Sequence, residues 1–405
     1  MLLKPSKPGL SRSRKMFYRE LLEELEDLKR QSNYRELKVV EDSYILDFSS
    51  NDYLDLNSDK NFKKKFIDNL DFNKMPFGSC GSRLLGGNHR EIRCFEDEID
   101  EVFKKKSLVF GSGYDANATV IETFYSKGDI IFTDRYNHAS IYDGLINSGV
   151  KIVRYKHLDY LDLEKKLKKY RNTWKRSLII TESIYSMDGD IVDLDRMVSL
   201  KNKYDSQLYL DEAHSYGVLG YGLAHTKSLT EEVDFIMLGL GKGGSSNGGI
   251  LILDNIARSY IINRGRKFIY TTAPSPIQTS WNRYVFKNMP SLDHKRKKLN
   301  LLKKLCYKKL KEKNIETVST EQIISIIIGD NKRCIELSEI LRKKGYLVYP
   351  IKEPTVPKGT ARIRLTLTAD MDMEKLMMFI ERLEKILIRI TQVNTNKVNL
   401  ELCEK

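Results

Sequence analysis

The sequence predicts an α/β protein, with a large domain on a mainly parallel seven-stranded sheet followed by a smaller C-terminal α+β domain. Three observations predict it. Short apolar runs alternate with helical patterns from about residue 44 onward. Several runs lack polar alternation, as strands buried on both faces do. Polar or reactive residues (Ser112, Asp134, Glu182, Asp211, His214 and Lys242) sit at or just past the C-terminal ends of the runs, the edge where open α/β sheets bind ligands.

Taken in order, residues 16–40 begin "MFYRELLEELEDLKRQ", which places Phe17, Leu21, Leu22, Leu25 and Leu28 at helical spacing, so an amphipathic helix is expected over 16–40, within an N-terminal arm of residues 1–45. The strands expected in the large domain, 46–285, are "SLVFGSG", "DIIFTD", "KIVRYKH", "SLIITES", "SQLYLDEAH", "DFIMLGLG" and "GILIL". After "YTTAPSP" the pattern changes to a long basic helix and then to "IISIIIG", "YLVYPI" and "ARIRLTLT", the C-terminal domain of 286–405.

Composition narrows the function classes. With 405 residues and 41% hydrophobic content, a sizeable core is available, and no apolar run approaches the length a membrane span requires. The N-terminal "MLLKPSKPGLSRSRKMFYRELLEEL" is basic without an apolar stretch ahead of a cleavage site, so no secretory signal is expected and a cytoplasmic location is. Cys80, Cys94, Cys306, Cys334 and Cys403 are dispersed and form no Cys-x-x-Cys pair, which argues for reduced thiols over disulfides or zinc. The net charge of +14 comes from scattered residues, many on helices such as "RKKLNLLKKLCYKKLKEKN", and no nucleic-acid-binding motif accompanies it.

The chemistry centres on Lys242 in "LGLGKGGSS". A Walker phosphate loop fails at two positions, because Ile236 stands where Gly is needed and Gly243 follows the lysine in place of Ser or Thr. An imine-forming lysine and an ordinary turn lysine stay open; the flanking glycines suit close approach by a planar ligand. Asp211 ends an apolar run, and a carboxylate there needs a cation or several donors, either from a ligand or from a structural ion pair or cap. His138 can stack on a flat heteroaromatic ring or be a structural residue. "FGSGYDANAT" joins a strand to a helical pattern, so the backbone N–H groups around Ser112, Gly113 and Tyr114 form a candidate anion site.

The ordered motifs "SSNDYL", "GSCGSRLLGGNH", "GSGYDAN", "DRYNHAS", "TESIYSMDGD", "LDEAH", "GLGKG" and "PTVPKGTARIRLTLTA" together resemble the α-oxoamine synthases, pyridoxal phosphate-dependent enzymes of fold type I. The resemblance runs from about Asp47 through the C-terminal domain. Its last motif is most similar to the branch that joins L-alanine to a pimeloyl thioester, on coenzyme A or acyl carrier protein, in biotin biosynthesis. Relatives using glycine or serine share much of the rest.

The resemblance implies that Lys242 holds the cofactor as an imine and later acts as base and acid. Asp211 would keep the pyridine nitrogen protonated, His138 would stack on the ring, and His214 and Ser186 would bond its phenolic oxygen. Gly113 and Tyr114, beside Ser112, would seat the phosphate. Thr271 and Thr272 match a segment that reaches the phosphate of the other subunit, which implies a homodimer. Asn51 and Arg364 would hold the amino-acid carboxylate, Glu182 occupies a site position near the imine, and Arg35 matches a substrate-binding arginine. One departure is Gly239, where the family commonly carries a phosphate-contacting Thr or Ser; Ser245 or Ser246 would substitute.

Overall fold

The computed structural model describes residues 12–37, 39 and 44–403, with side chains through 390 apart from those of Arg12 and Lys15. Strands are β1 Leu46–Asp47, β2 Lys106–Phe110, β3 Ile130–Asp134, β4 Lys151–Tyr155, β5 Ser177–Glu182, β6 Gln207–Asp211, β7 Phe235–Gly239, β8 Gly249–Leu253, β9 Ile323–Gly329, β10 Tyr346–Leu347, β11 Tyr349–Ile351 and β12 Ala361–Thr366. All seven runs expected between residues 107 and 253 form one sheet, in the order β2-β8-β7-β6-β5-β3-β4. Strands β3 to β7 pair in parallel, and β8 runs antiparallel to both its neighbours.

Side-chain alternation explains the missing polar residues in these runs. Ile130 and Phe132 of β3, Leu208 and Leu210 of β6, and Ile236 and Leu238 of β7 enter the core on one face. Ile131, Tyr209 and Met237 enter the core on the other face. Neither face meets water, so each position must be apolar. Burying each such Ile or Leu contributes roughly 1.5–3 kcal/mol.

A third core surrounds the three-stranded antiparallel sheet β11-β12-β9 and the helices Asp293–Glu312 and Asn331–Lys343. Leu46, Phe48 and Tyr53 belong to it, and β1 pairs in parallel with β10. The segment just upstream of the large sheet is thereby fastened to the C-terminal part of the chain, bringing Asn51 and Tyr53 toward β12.

The N-terminal helix differs from expectation. It spans Arg12–Arg30 and does not reach residue 40. Apolar spacing ends at Leu28, Ser32 adopts a left-handed φ of 55°, and the Lys352 ammonium bonds the Ser32 carbonyl, turning the chain away from the helix axis. Of the opening residues read for a secretory signal, 1–11 lie outside the described residues, as does the side chain of Cys403. The other four cysteines are unpaired. No helix among the described residues is long and apolar enough to cross a membrane, and no cluster of potential metal ligands occurs among them.

A histidine clamp stiffens one end of the sheet edge. His157 Nδ1 lies 3.0 Å from Asp134 at the end of β3, and Nε2 lies 2.7 Å from Asp190 in the loop after β5. Burial alone would lower its pKa, but the two carboxylates outweigh burial and raise it to about 9. This stabilisation is full below the unfolded value near 6.5 and is lost as pH rises through about 9. His157→Gln is therefore expected to cost on the order of 2 kcal/mol in denaturant titrations at pH 6 and far less at pH 10.

Candidate active site

The C-terminal edge of the parallel strands opens into a cavity of about 270 Å³ lined by Gly113, Tyr114, Asn117, His138, Ser140, Glu182, Asp211, His214, Gly239, Lys242 and Asn247, among others. Each arrives by a local rule. Ser112 caps the helix Gly113–Phe124, its Oγ accepting from Asp115 N at 3.0 Å, which leaves the first backbone N–H groups facing the cavity end. His138 caps the helix Ala139–Ser148, with Nδ1 accepting from Ser140 N at 3.2 Å. That bond makes Nδ1 the unprotonated nitrogen and fixes the ring at the cavity wall, giving His138 a structural role as a helix cap.

Asp211 ends β6 and is buried. Its Oδ2 accepts from Asn117 Nδ2 at 2.8 Å and its Oδ1 from Ala213 N at 2.9 Å. These are neutral donors, and among the described residues the carboxylate makes no ion pair within 4.0 Å. The next residue, Glu212, serves the scaffold: it accepts from Ala224 N at 2.8 Å and from Leu223 N, capping a short helix, and burial pushes its pKa up to about 7.

Lys242 reaches into the cavity from the loop after β7, with Nζ 2.9 Å from His214 Nε2. Burial lowers its pKa, against the pull of Asp211 and Glu182. Glu182 accepts from His138 N at 2.6 Å, and burial, followed by the nearby Asp211 charge, raises its pKa well above the usual carboxylate range. His214 is buried beside Lys242, and both conditions hold it neutral. The site thus contains a desolvated amine, a carboxylate without a cation and two imidazoles held in place.

Beside the cavity, Arg364 on β12 donates from Nη2 to Asn51 Oδ1 at 3.0 Å, from Nη1 to Thr366 at 2.9 Å and from Nε to the Ser186 carbonyl at 2.7 Å. Ser186 therefore enters through its backbone. Two groups of expected residues lie elsewhere in this chain. Arg35 lines a separate groove of about 610 Å³ and donates to Thr355 Oγ1 at 3.3 Å. Thr271 and Thr272 are exposed on a segment fastened to the loop 77–87, where Ala273 N donates to the Gly81 carbonyl at 2.9 Å.

Gly239 shows why no hydroxyl occupies its position. A Cβ there would lie 2.7 Å from Ala213 Cβ and 3.0 Å from its Cα. Neither Ser245 nor Ser246 lines the cavity as a substitute; Ser245 is buried and its hydroxyl bonds Asp52. Besides Lys242, Asn247 is the polar side chain of this loop that does. Gly239→Thr is expected to destabilise the fold by about 1–3 kcal/mol through overpacking, measurable by chemical denaturation.

Sequence reading missed Tyr53, Asn117 and Ser140. Asn117 lies one helical turn beyond Gly113, and Ser140 lies two residues beyond His138, so both shared a face or cap with residues already singled out. Tyr53 sat in a quoted motif, but its contact with His214 joins segments far apart in the chain.

A model of the Aminotransferase class I and II family matches residues 43–383. The chain is 36% identical over 346 residues to an 8-amino-7-oxononanoate synthase of Haemophilus ducreyi, covering 82% of this chain and 89% of the relative. A solved 8-amino-7-oxononanoate synthase of Francisella tularensis is similar with a TM-score of 0.74 at 28% identity, covering 87% of this chain and 100% of that one. A serine palmitoyltransferase of Sphingomonas wittichii is similar with a TM-score of 0.80 at 25% identity, covering 91% and 96%.

Proposed function

Because the chain belongs to the aminotransferase class I and II family, we propose that it is a pyridoxal phosphate-dependent acyltransferase, an α-oxoamine synthase. Its reaction would join L-alanine to a pimeloyl thioester of coenzyme A or acyl carrier protein. The products are 8-amino-7-oxononanoate, CO2 and the free thiol, a step of biotin biosynthesis. The relatives' names support the substrates, and the observation that carries the chemistry is the meeting of Lys242 and Asp211 in one cavity.

The residues present fit the cofactor. A buried carboxylate with no ion pair suits a protonated ring nitrogen, since a buried charge without a partner costs several kcal/mol. The helix N-terminus at Gly113 and Tyr114 suits a phosphate, and the fixed His138 ring suits stacking. When bound, pyridoxal phosphate supplies an electron sink for the charge that develops at the amino-acid Cα.

The chain's own groups do the remaining work. Lys242, desolvated and next to neutral His214, is the amine that can bond the cofactor covalently and afterwards move the Cα proton. Asn117 and the Ala213 amide hold Asp211 in one orientation, and Glu182, its pKa raised by burial, accepts from the His138 amide and so holds the start of the helix that carries His138. Arg364, aimed by Asn51 and the Ser186 carbonyl, is the cation for the amino-acid carboxylate.

The active unit in this proposal is a homodimer. Phe77, Leu84, Leu85 and Tyr270 are exposed beside Thr271 and Thr272, an apolar surface suited to a second copy whose cavity those threonines would reach. Adding L-alanine, glycine and L-serine in turn to the pyridoxal phosphate-loaded protein, with pimeloyl thioester, tests the reading. Visible absorbance should change most with L-alanine, and CO2 should form only with both substrates. A response confined to glycine or serine would reject the alanine assignment.

A further inference from the structure

We propose that Tyr53 is a positioning residue for Lys242: its hydroxyl fixes the tautomer of His214 and so turns a protonated Nε2 toward the lysine. The proposal rests on the role of Lys242 given above, but its evidence is separate. Tyr53 is fully buried, and its Oη lies 2.5 Å from His214 Nδ1. The other ring nitrogen, Nε2, lies 2.9 Å from Lys242 Nζ. Phenol, imidazole and amine therefore form one hydrogen-bonded line. The His214 backbone is pinned as well, its carbonyl accepting from Gln322 Nε2 at 2.8 Å.

Chemistry gives the line its direction. His214 is buried and close to the Arg364 guanidinium; burial above all holds the ring neutral, so it carries a single N–H. Burial pushes the Tyr53 phenol up to about 12, so it keeps its proton. The Arg364 guanidinium and the Gln322 amide also face the phenol, and both can donate to its oxygen. The phenol's proton then has two acceptors in reach, Asn51 Oδ1 at 3.3 Å and His214 Nδ1 at 2.5 Å, and the shorter contact wins. With Nδ1 accepting, the imidazole proton sits on Nε2.

An Nε2–H aimed at Lys242 meets the lone pair of the neutral amine and opposes its protonation. The charged groups facing that amine are Asp211 from β6, Glu182 from β5 and Arg364 from β12. Asp211 and Glu182 favour the ammonium form, while Arg364 and burial oppose it. His214 adds an uncharged contribution whose sign depends on its tautomer, and Tyr53 sets that tautomer.

The test uses protein labelled with 15N in histidine, of which the chain has six. Long-range 1H–15N spectra should show His214 with a protonated Nε2 and an unprotonated Nδ1, with or without pyridoxal phosphate. In Tyr53→Phe this tautomer preference should be lost. The pH midpoint of the cofactor's visible absorbance should rise by about one unit, the scale of one hydrogen bond. Turnover should fall about tenfold with KM for the amino acid changed less than about twofold. A wild-type His214 protonated on Nδ1 overturns the proposal, and it does so even where Tyr53→Phe fails to fold. An unchanged tautomer and midpoint in a folded Tyr53→Phe protein also overturns it. Failure of the cofactor reading would show separately, as absent visible absorbance while the histidine spectra remain measurable.

Discussion

Lys242→Ala is expected to abolish turnover and the yellow colour of protein mixed with pyridoxal phosphate, while leaving the fold intact. Nothing in the core depends on this side chain, which is half-buried and whose hydrogen-bond partner is His214. What is lost is the amine that burial holds below its ordinary pKa, the property that lets it act as nucleophile and base near neutral pH. Proton transfer by a positioned group alone is worth roughly 10²–10⁴ in rate, and the covalent attachment is lost in addition. Steady-state assay, visible spectrum and thermal unfolding measured on one preparation separate this outcome from misfolding.

Asp211→Asn is expected to reduce turnover by about 10²–10⁴ while the protein still binds pyridoxal phosphate. The substitution keeps the shape and the bond to the Ala213 amide, and it removes the negative charge that faces the cavity without a cation of its own. Losing one partner of a buried charge pair costs about 3–5 kcal/mol, and each 1.36 kcal/mol is a factor of about ten in rate. Because charge develops at the reacting carbon only on the way to the transition state, the loss should appear in kcat more than in KM. An Asp211→Asn protein with normal kcat would assign this carboxylate a structural role.

The sheet was legible because burial on both faces removes polar residues from its strands, as Ile130 to Phe132 and Phe235 to Leu238 show. Reactive residues collected at one edge because Glu182 and Asp211 end neighbouring parallel strands, paired in register. Less legible was anything set by a long-range contact. Tyr53 reaches His214 only because β1 and its flanks pack against the C-terminal core, and no local pattern in "SSNDYL" announces that pairing. Gly239 likewise departs from the family pattern for a reason the sequence conceals, namely the position of Ala213 across the cavity floor. The arm helix was read too long because its charged residues continue past Leu28, whereas the apolar stripe that defines a buried helix face does not.

The central claim is that Lys242 bonds the cofactor. Reducing the pyridoxal phosphate-loaded protein with borohydride and mapping the modified peptide by mass spectrometry tests it directly. The account predicts a single stoichiometric modification on Lys242, lost in Lys242→Ala. Modification of a different lysine, or none in protein that has taken up pyridoxal phosphate, would contradict it.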